Sequence, residues 1–337
     1  MSSWYNNSPS NEGVVVSTRV RLARNLSGMP FPSRMTTEQF ETLKSKVKKA
    51  ICESNTPFAK TLKYIDMNDV PEMEIHAMVE RHVISPEFAE KSESGAIILS
   101  ADESISIMIG EEDHIRIQVI LGGLQLEKAY DIAERIDTLL YDNLHFAFDK
   151  DLGFLTVCPT NLGTGLRASV MLHMPVCEST GEIQTLSETV GKIGFTVRGM
   201  YGEGSKSKAS LYQVSNQITL GITEKNAIDN LKIITTQLIE KELKARNELN
   251  RIGVEDLVYR ALGVLQNSRI LSGNEMMNLL SRIKLGVSMG ILKEEIEPLR
   301  LLIEGQPHML MKKYGEMSPE ERDICRATAM REALKNF

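Results

Sequence analysis

The sequence predicts an α+β fold in two parts, and three patterns carry that expectation. Segments that alternate with period two recur through the N-terminal two thirds of the chain. Apolar residues at helical spacing fall between them. Beyond about residue 250 the strand patterns stop and helices with explicit start signals take over. The chain therefore divides into a mixed α and β part, residues 1–248, and an all-helical part, residues 249–337. With 337 residues it is long enough for one large domain or for two.

The first strand is read from VVVSTRVRLARN, over residues 14–22. Side chains alternate along a strand, so Ser17, Arg19 and Arg21 share one face while Thr18, Val20 and Leu22 share the other. A helix follows over residues 37–51, with Phe40, Leu43, Val47 and Ile51 at helical spacing. Residues 96–121 read as two strand-like runs around Asp102-Glu103. In the second of them, IMIGEEDHIRIQVI, counting by two puts Glu112, His114, Arg116 and Gln118 on one face. Ile107, Ile109, Ile115, Ile117 and Val119 take the other, interrupted by Glu111 and Asp113.

Residues 124–144 predict a helix with Ala129, Ile132, Ala133, Ile136, Leu139 and Leu140 on one side. GFLTVCPTNLGTGLRASVMLHMP predicts a strand, a glycine-containing turn and a second apolar stretch. GFTVRGMYGEGSKSK predicts a strand running into a Gly/Ser/Lys loop, whose composition predicts mobility. LYQVSNQITLG predicts another short strand. A long helix starts after Thr223, with Ala227, Leu231, Ile234 and Leu238 along one face. In the last part, Ser272 and Glu275 have capping-box spacing, and Ser318-Pro319-Glu320-Glu321 adds proline at the first helical position.

Charged residues make up 25% and hydrophobic ones 42%, the balance of a water-soluble globular chain. A net charge of -6 argues against general nucleic-acid binding, so a local basic cluster points to a specific anion pocket. No apolar run approaches the roughly 20 residues of a membrane span. The opening MSSWYNNSPSNEG lacks a signal-peptide core. Cys52, Cys158, Cys177 and Cys325 are scattered with no CxxC pair, which fits reduced thiols in the cytoplasm and not disulfides or a zinc site.

Five arginines stand on strands or at strand ends: Arg19, Arg21, Arg116, Arg167 and Arg198. An isolated arginine is most simply a surface salt bridge. Several together on polar strand faces suit a polyanion, because guanidinium forks match phosphate oxygens in pairs. The chain has neither the GxxxxGK[ST] phosphate loop nor the protein-kinase motif set. Glu112 and Glu203 are candidate acids, each also readable as a solvated carboxylate. Cys158, just before Pro159, reads on its own as a small buried hydrophobe.

Taken in order, STRVRLARN (17–25), ERHVISPEFA (80–89), EEDHIR (111–116), CPTNLGTGLRAS (158–169), VRGMYGE (197–203) and YQVSNQITLG (212–221) resemble the ATP:guanidino phosphotransferases, the arginine and creatine kinase superfamily. The resemblance covers roughly residues 14–245 and implies a mainly antiparallel sheet flanked by helices. It implies that Arg19, Arg21, Arg116, Arg167 and Arg198 hold the ATP phosphates with Ser17 beside them, and that His82 stacks on adenine. It also implies that Glu112 and Glu203 grip a substrate guanidinium with Cys158 against it. Magnesium is expected to be held mainly by ATP, with no metal site of the protein's own.

Those roles are chemically coherent. A guanidinium is almost fully protonated near neutral pH, so its nitrogen is a poor nucleophile. Paired carboxylates can fix its plane and accept its proton. Arginines and Mg²⁺ then stabilise charge on the transferred phosphoryl group.

Two departures bear on the substrate. Kinases of free guanidino metabolites carry a helical domain ahead of the STRVR-like strand, whereas here that strand begins near residue 17. The C-terminal helical segment is an addition. Both features resemble the bacterial protein-arginine kinases, which phosphorylate arginine side chains within proteins. RDICRA (322–327) resembles a phosphoarginine-binding motif of that group, with Arg322, Asp323 and Arg326 as the binding residues. Spacing alone also allows an ordinary exposed charge cluster.

The resemblance implies protein substrates with accessible arginines, a homodimer, a heat-shock repressor and an activator protein as partners, and delivery of marked proteins to a Clp-type ATPase. No membrane or direct nucleic-acid partner is expected. A kinase of free arginine or another small guanidine, and a phosphoarginine-binding adaptor, are the competing readings.

Overall fold

The computed structural model describes residues 3–6, 13–200, 207–293 and 295–337. The strands among them are β1 (Val15–Arg24), β2 (Leu62–Asp66), β3 (Ala96–Ser100), β4 (Ile105–Ile109), β5 (Ile115–Gly122), β6 (Phe148–Asp149), β7 (Gly153–Phe154), β8 (Leu166–His173), β9 (Phe195–Gly199) and β10 (Leu211–Asn216). The helices of the first half are α1 (Thr37–Cys52), α2 (Pro57–Thr61), α3 (Glu72–Glu80), α4 (Pro86–Glu90), α5 (Leu126–Asn143), α6 (Pro175–Ser179) and α7 (Glu182–Gly191). They are followed by α8 (Glu224–Asn247), α9 (Arg251–Asn267), α10 (Gly273–Ser288), α11 (Pro298–Glu304), α12 (Pro307–Tyr314) and α13 (Pro319–Ala333). The fold is α+β, with antiparallel strand pairs, flanking helices and a run of helices at the C-terminus.

The chain packs as two compact units. The first holds residues 18–169 and 215–232, and the second holds 170–214 and 233–337 together with the start of β1. This division by packing cuts the chain at points other than the change of sequence texture at residue 248.

In the first unit the strands lie in the order β2-β3-β4-β5-β1-β8. Register decides which side each residue faces. Ile97 pairs with Met108 and Met108 with Arg116, so these three form one row on one face. Ile98, Ile107 and Ile117 form the next row, on the opposite face. Ile97 and Met108 are buried with Met78 of α3 and Phe88 of α4, so Arg116 lies on the α3–α4 side of the sheet. α5 packs along β5, and α1 packs on α5 and β4. α1 begins at a capping box between Thr36 and Gln39, and α5 buries Ala129, Ala133, Ile136 and Leu140.

Residues 96–121 differ from the sequence-based expectation. They form three strands, not two. The chain turns at 101–104 as expected and reverses again at 110–114, where Gly110 has φ +82°. That left-handed conformation is open to glycine at no steric cost. Strand alternation therefore stops at Ile109 and restarts at Ile115. Glu112 and His114 sit on a bend and do not share a strand face with Arg116 and Gln118.

The second unit joins the C-terminal helices to the end of β8, to β9 and to most of β10. Polar groups tie them together inside the unit. Buried Glu242 of α8 accepts the Val176 and Cys177 amides at 3.3 and 3.0 Å and the Arg246 Nε at 2.8 Å. Arg246 also donates to the Ser288 hydroxyl at 2.9 Å and the His173 carbonyl at 3.1 Å. His173 Nε2 lies 2.9 Å from Ser281 Oγ of α10. α10 and α13 start where the sequence predicts, with Ser272 accepting from the Glu275 amide and a complete Ser318/Glu321 capping box. Among the described residues, no helix is long and apolar enough to cross a membrane.

One buried ion pair ties β1 to α5 in the first unit. Arg24, 1% exposed, donates from Nε and Nη2 to Asp137 at 2.9 and 2.8 Å, and its guanidinium carbon lies 3.6 Å from the Phe154 ring centroid. Removing one partner of a buried pair strands the other charge, at about 3–5 kcal/mol. Asp137→Ala is expected to shift the urea unfolding midpoint down by a corresponding amount; a shift below about 1 kcal/mol would place the pair in effectively solvated surroundings.

Candidate active site

The first unit contains a cavity of about 480 Å³ whose wall includes Arg21, Arg116, Arg167, Glu111, Glu112 and Cys158. β1 supplies Arg21, the 110–114 bend and β5 supply Glu112 and Arg116, and the loop before β8 supplies Cys158 and leads to Arg167. Ser33, Glu87, Lys91, Thr160 and Asn161 complete much of the rim.

The guanidiniums crowd one another. Arg19 is pushed down to about 10, first by burial and then by the charges of Arg167 and Arg116. Arg21 is pushed down further by burial, then by Arg19, Arg116 and Arg167, against a pull from Glu111. Arg19 remains cationic near neutral pH, and both side chains keep some open surface while lying deep among protein atoms. The Arg21 Nε is buried without a hydrogen-bond partner among the described residues.

Arg24, three positions along the same strand, behaves oppositely. Its donors go to Asp137, the Ala23 carbonyl and the Thr164 carbonyl. Arg19, Arg21, Arg116 and Arg167 thus gather positive charge in one place, which suits a polyanion such as a nucleotide's phosphates.

The acidic bend is built from local bonds. Asp113, fully buried, accepts from Asn25 Nδ2 at 2.7 Å and from the Val157 amide at 2.8 Å. The Leu26 amide donates to His114 Nδ1 at 2.9 Å, so the proton lies on Nε2, which donates to the Pro30 carbonyl at 2.7 Å. Burial pushes the His114 pKa down, consistent with this neutral form. His114 is therefore a brace for the bend.

Arg116 reaches back to the same bend, with Nη1 2.5 Å from Glu111 and Nη2 3.1 Å from Glu112. Burial pushes the Glu112 carboxyl up, against the pull of Arg116. Glu112 keeps 40% of its side-chain surface exposed, so it can meet a substrate. Cys158 precedes a short 3₁₀ turn, its Sγ 3.0 Å from the Thr160 hydroxyl.

The other residues singled out in the sequence fall in several places. Arg19 joins the cluster by charge without lining the cavity. His82 is next to it: burial and then the Arg19 charge push its pKa down to about 3, leaving the ring neutral. It also has φ +62°, and its ring centroid lies 6.3 Å from that of Trp4. Ser17 is buried and Arg198 is an exposed residue of β9, both in the second unit. Glu203, and most of the Gly/Ser/Lys loop with it, lies outside the described residues.

In α13, Arg326 is buried and donates to the Gly305 and Leu271 carbonyls at 2.8 and 2.9 Å and to Asp323. The Arg322 Nε is buried without a hydrogen-bond partner among the described residues. Among the described residues, no group of three or more His, Cys, Asp and Glu is placed to hold a metal ion.

Residues 42–245 match the family model described as the ATP:guanido phosphotransferase C-terminal catalytic domain. The chain belongs to that family. Residues 251–337 match the model described as the protein-arginine kinase McsB C-terminal domain. Among curated relatives, the protein-arginine kinase of Clostridium kluyveri is 45% identical, covering 96% of this chain and 95% of its own. That of Halothermothrix orenii is 44% identical over 99% and 97%, and that of Caldanaerobacter subterraneus is 42% identical over 94% and 96%.

Two solved phosphotransferases share the fold. A lombricine kinase superposes with a TM-score of 0.60 at 21% identity, over 74% of each chain. The duplicated taurocyamine kinase of Schistosoma mansoni gives 0.62 at 23%, over 94% of this chain and 43% of its own. The chain is thus a phosphotransferase of the guanidino family, and it uses ATP.

Sequence reasoning passed over Glu111, Asp113 and Asn25, which shape the bend. The signal was present: Glu111 and Asp113 interrupt the apolar face of the run, and buried carboxylates require partners. Arg21→Met keeps the stem and removes a crowded charge. The variant is expected to melt no lower than the wild type while its affinity for tripolyphosphate falls at least about tenfold, the worth of one charge-assisted contact. Unchanged affinity in an anion titration would remove Arg21 from the phosphate cradle.

Proposed function

We propose that this phosphotransferase moves the γ-phosphoryl group of ATP to arginine side chains of proteins. The observation that carries the reading is the single cavity on which Arg21, Arg116, Arg167, Glu112 and Cys158 meet. It is supported by relatives of nearly the same length that carry the name protein-arginine kinase.

In the proposed step the phosphate chain lies against the arginine cluster, and a substrate guanidinium lies between Glu112 and Cys158. Glu112 takes a guanidinium proton as the nitrogen attacks the γ-phosphorus. The N–P bond forms, the bond from phosphorus to the ADP oxygen breaks, and the arginines balance the charge gathering on the phosphoryl oxygens. Arg19, Arg198, Ser17 and His82 complete the nucleotide site in this reading, and Glu203 is the second acid. Magnesium would be held by the phosphates and would neutralise part of their charge.

The reading extends to biology through family resemblance. Marked proteins would go to a Clp-type ATP-dependent protease, a heat-shock repressor would be one target, and an activator protein and a homodimer would belong to the system in the cytoplasm. Arg322, Asp323 and Arg326 would form a second site for phosphoarginine. The spare Arg322 donor supports this, but Arg326 and Asp323 are already paired. A ligand would have to exchange for that pair, its phosphate taking Arg326 and its guanidinium taking Asp323.

The direct test gives the purified chain Mg-ATP with either an unfolded arginine-rich protein or free L-arginine, followed by mass spectrometry without acid, since phosphoramidates are acid-labile. Phosphate on protein arginines and none on free arginine is expected. The reverse would make this a metabolite kinase, and binding of phosphoarginine proteins with no transfer would make it an adaptor.

A pH profile tests Glu112. A base works only when deprotonated, and burial raises its pKa. The acid limb of kcat/KM, which reports the free enzyme, is therefore expected above the ordinary glutamate value of about 4.3, and Glu112→Gln should abolish turnover. A limb at or below that value would assign it to another group.

A further inference from the structure

We propose that Glu111 is a positioning residue for phosphoryl transfer, holding Arg116 and the backbone of Glu112 in working geometry from within the cavity wall. The inference rests on the kinase reading above and adds a residue to that site.

Three donors converge on this one carboxylate. Its Oε1 accepts from Arg116 Nη1 at 2.5 Å and from Ser85 Oγ at 2.5 Å, and its Oε2 accepts the Glu112 amide at 3.0 Å. The Glu111 side chain is 2% exposed, so substrate has little of it to touch. Both groups it holds do face the cavity. Glu112 lies on a bend outside the β4–β5 ladder, so the path of its backbone decides where its carboxylate points. That carboxylate lies 3.1 Å from Arg116 Nη2, and Glu111 also holds Arg116.

Ser85 extends the arrangement to α4. It caps that helix through the Phe88 amide at 3.1 Å, and α4 with the residue after it brings Glu87 and Lys91 to the cavity rim. One buried acid thus links a phosphate-binding arginine, the proposed base and a wall of the pocket.

Neither conservative replacement can do the same. Glutamine offers one acceptor oxygen and turns an NH₂ toward either the Arg116–Ser85 side or the Glu112 amide. Aspartate keeps the charge and falls one methylene short. A misplacement on that scale near the reacting atoms costs up to about a hundredfold in rate. A counter-charge would act differently, since aspartate would largely preserve it. Removing the negative charge in Glu111→Gln also favours phosphate binding while a loosened Arg116 disfavours it, so the two effects oppose each other in ATP affinity and act mainly on kcat.

The experiment uses the full chain with Glu111→Gln and Glu111→Asp, reading kcat on an unfolded protein substrate, the ATP dissociation constant by direct titration, and thermal melting. Both variants are expected to lose at least about tenfold in kcat while folded, with ATP affinity of the glutamine variant within about threefold of wild type. A folded Gln variant with kcat within about twofold of wild type would overturn the proposal. So would full turnover in the Asp variant, which would reduce Glu111 to a counter-ion. If neither folds, Ser85→Ala takes their place: a fall of about three- to fivefold in kcat supports the proposal and no fall overturns it. Wild-type protein that binds no ATP would instead overturn the kinase reading beneath it.

Discussion

Like charges at close range repel, and in the first unit Arg116 and Arg167 stand near enough to lower the proton affinity of Arg19 and Arg21. Packing elsewhere on the strand helps hold such a cluster together. β1 runs between β5 and β8, so its backbone has partners on both sides, and Val20 and Leu22 are fully buried on the face opposite the arginines. Burial of each such side chain contributes roughly 1.5–3 kcal/mol. The apolar face anchors the strand, and the polar face is thereby committed to a destabilising arrangement that an anion would relieve. Arg24 shows what the fold does with an arginine it uses for itself: full bonding to Asp137 and two carbonyls, under an aromatic ring.

The acidic bend solves the opposite problem. Carboxylates gathered next to a cluster proposed to hold phosphates would repel them if all were free. Asp113 is turned inward to Asn25 and the Val157 amide, and Glu111 is turned inward to Arg116 and Ser85. Only Glu112 keeps substantial exposure, and burial together with the neighbouring acids raises its pKa. Of the three adjacent acids, two are turned inward to protein partners and one is left open to the cavity. The neutral His114, bonded at both ring nitrogens, keeps the bend rigid without adding charge.

Much of this was legible in the sequence because burial and strand alternation leave a direct record. Arg19 and Arg21 alternate with Val20 and Leu22 as the period requires, and the face of α8 at Ala227, Leu231, Ile234 and Leu238 is buried in full. Capping residues announced the starts of α10 and α13 chemically. The 110–114 reversal was missed because its cause is one left-handed glycine amid strand-forming residues, and a period count runs straight through it. The convergence of Cys158 with Arg21 and Arg116 could not be read locally. It depends on which strands become neighbours, and 42 residues separate Cys158 from the nearer of the two arginines in the chain.

The same geometry bears on what the pocket can accept. Selectivity for a free amino acid requires a group that reads its carboxylate, and a site built around such a group rejects ligands lacking it. In the proposed reading the cavity cations Arg21, Arg116 and Arg167 are taken by a nucleotide's phosphates. Among the described residues, Lys91 at the rim is the remaining cation of the lining, and Glu87 stands one helical turn before it on the same wall. A free α-carboxylate and α-ammonium could each find an opposite charge there, but both side chains are exposed, where such pairs contribute little. A guanidinium delivered on a polypeptide needs neither contact, because the chain itself supplies further surface outside the cavity. The wall therefore discriminates weakly against a large substrate, and the deep residues discriminate strongly for the two groups that react.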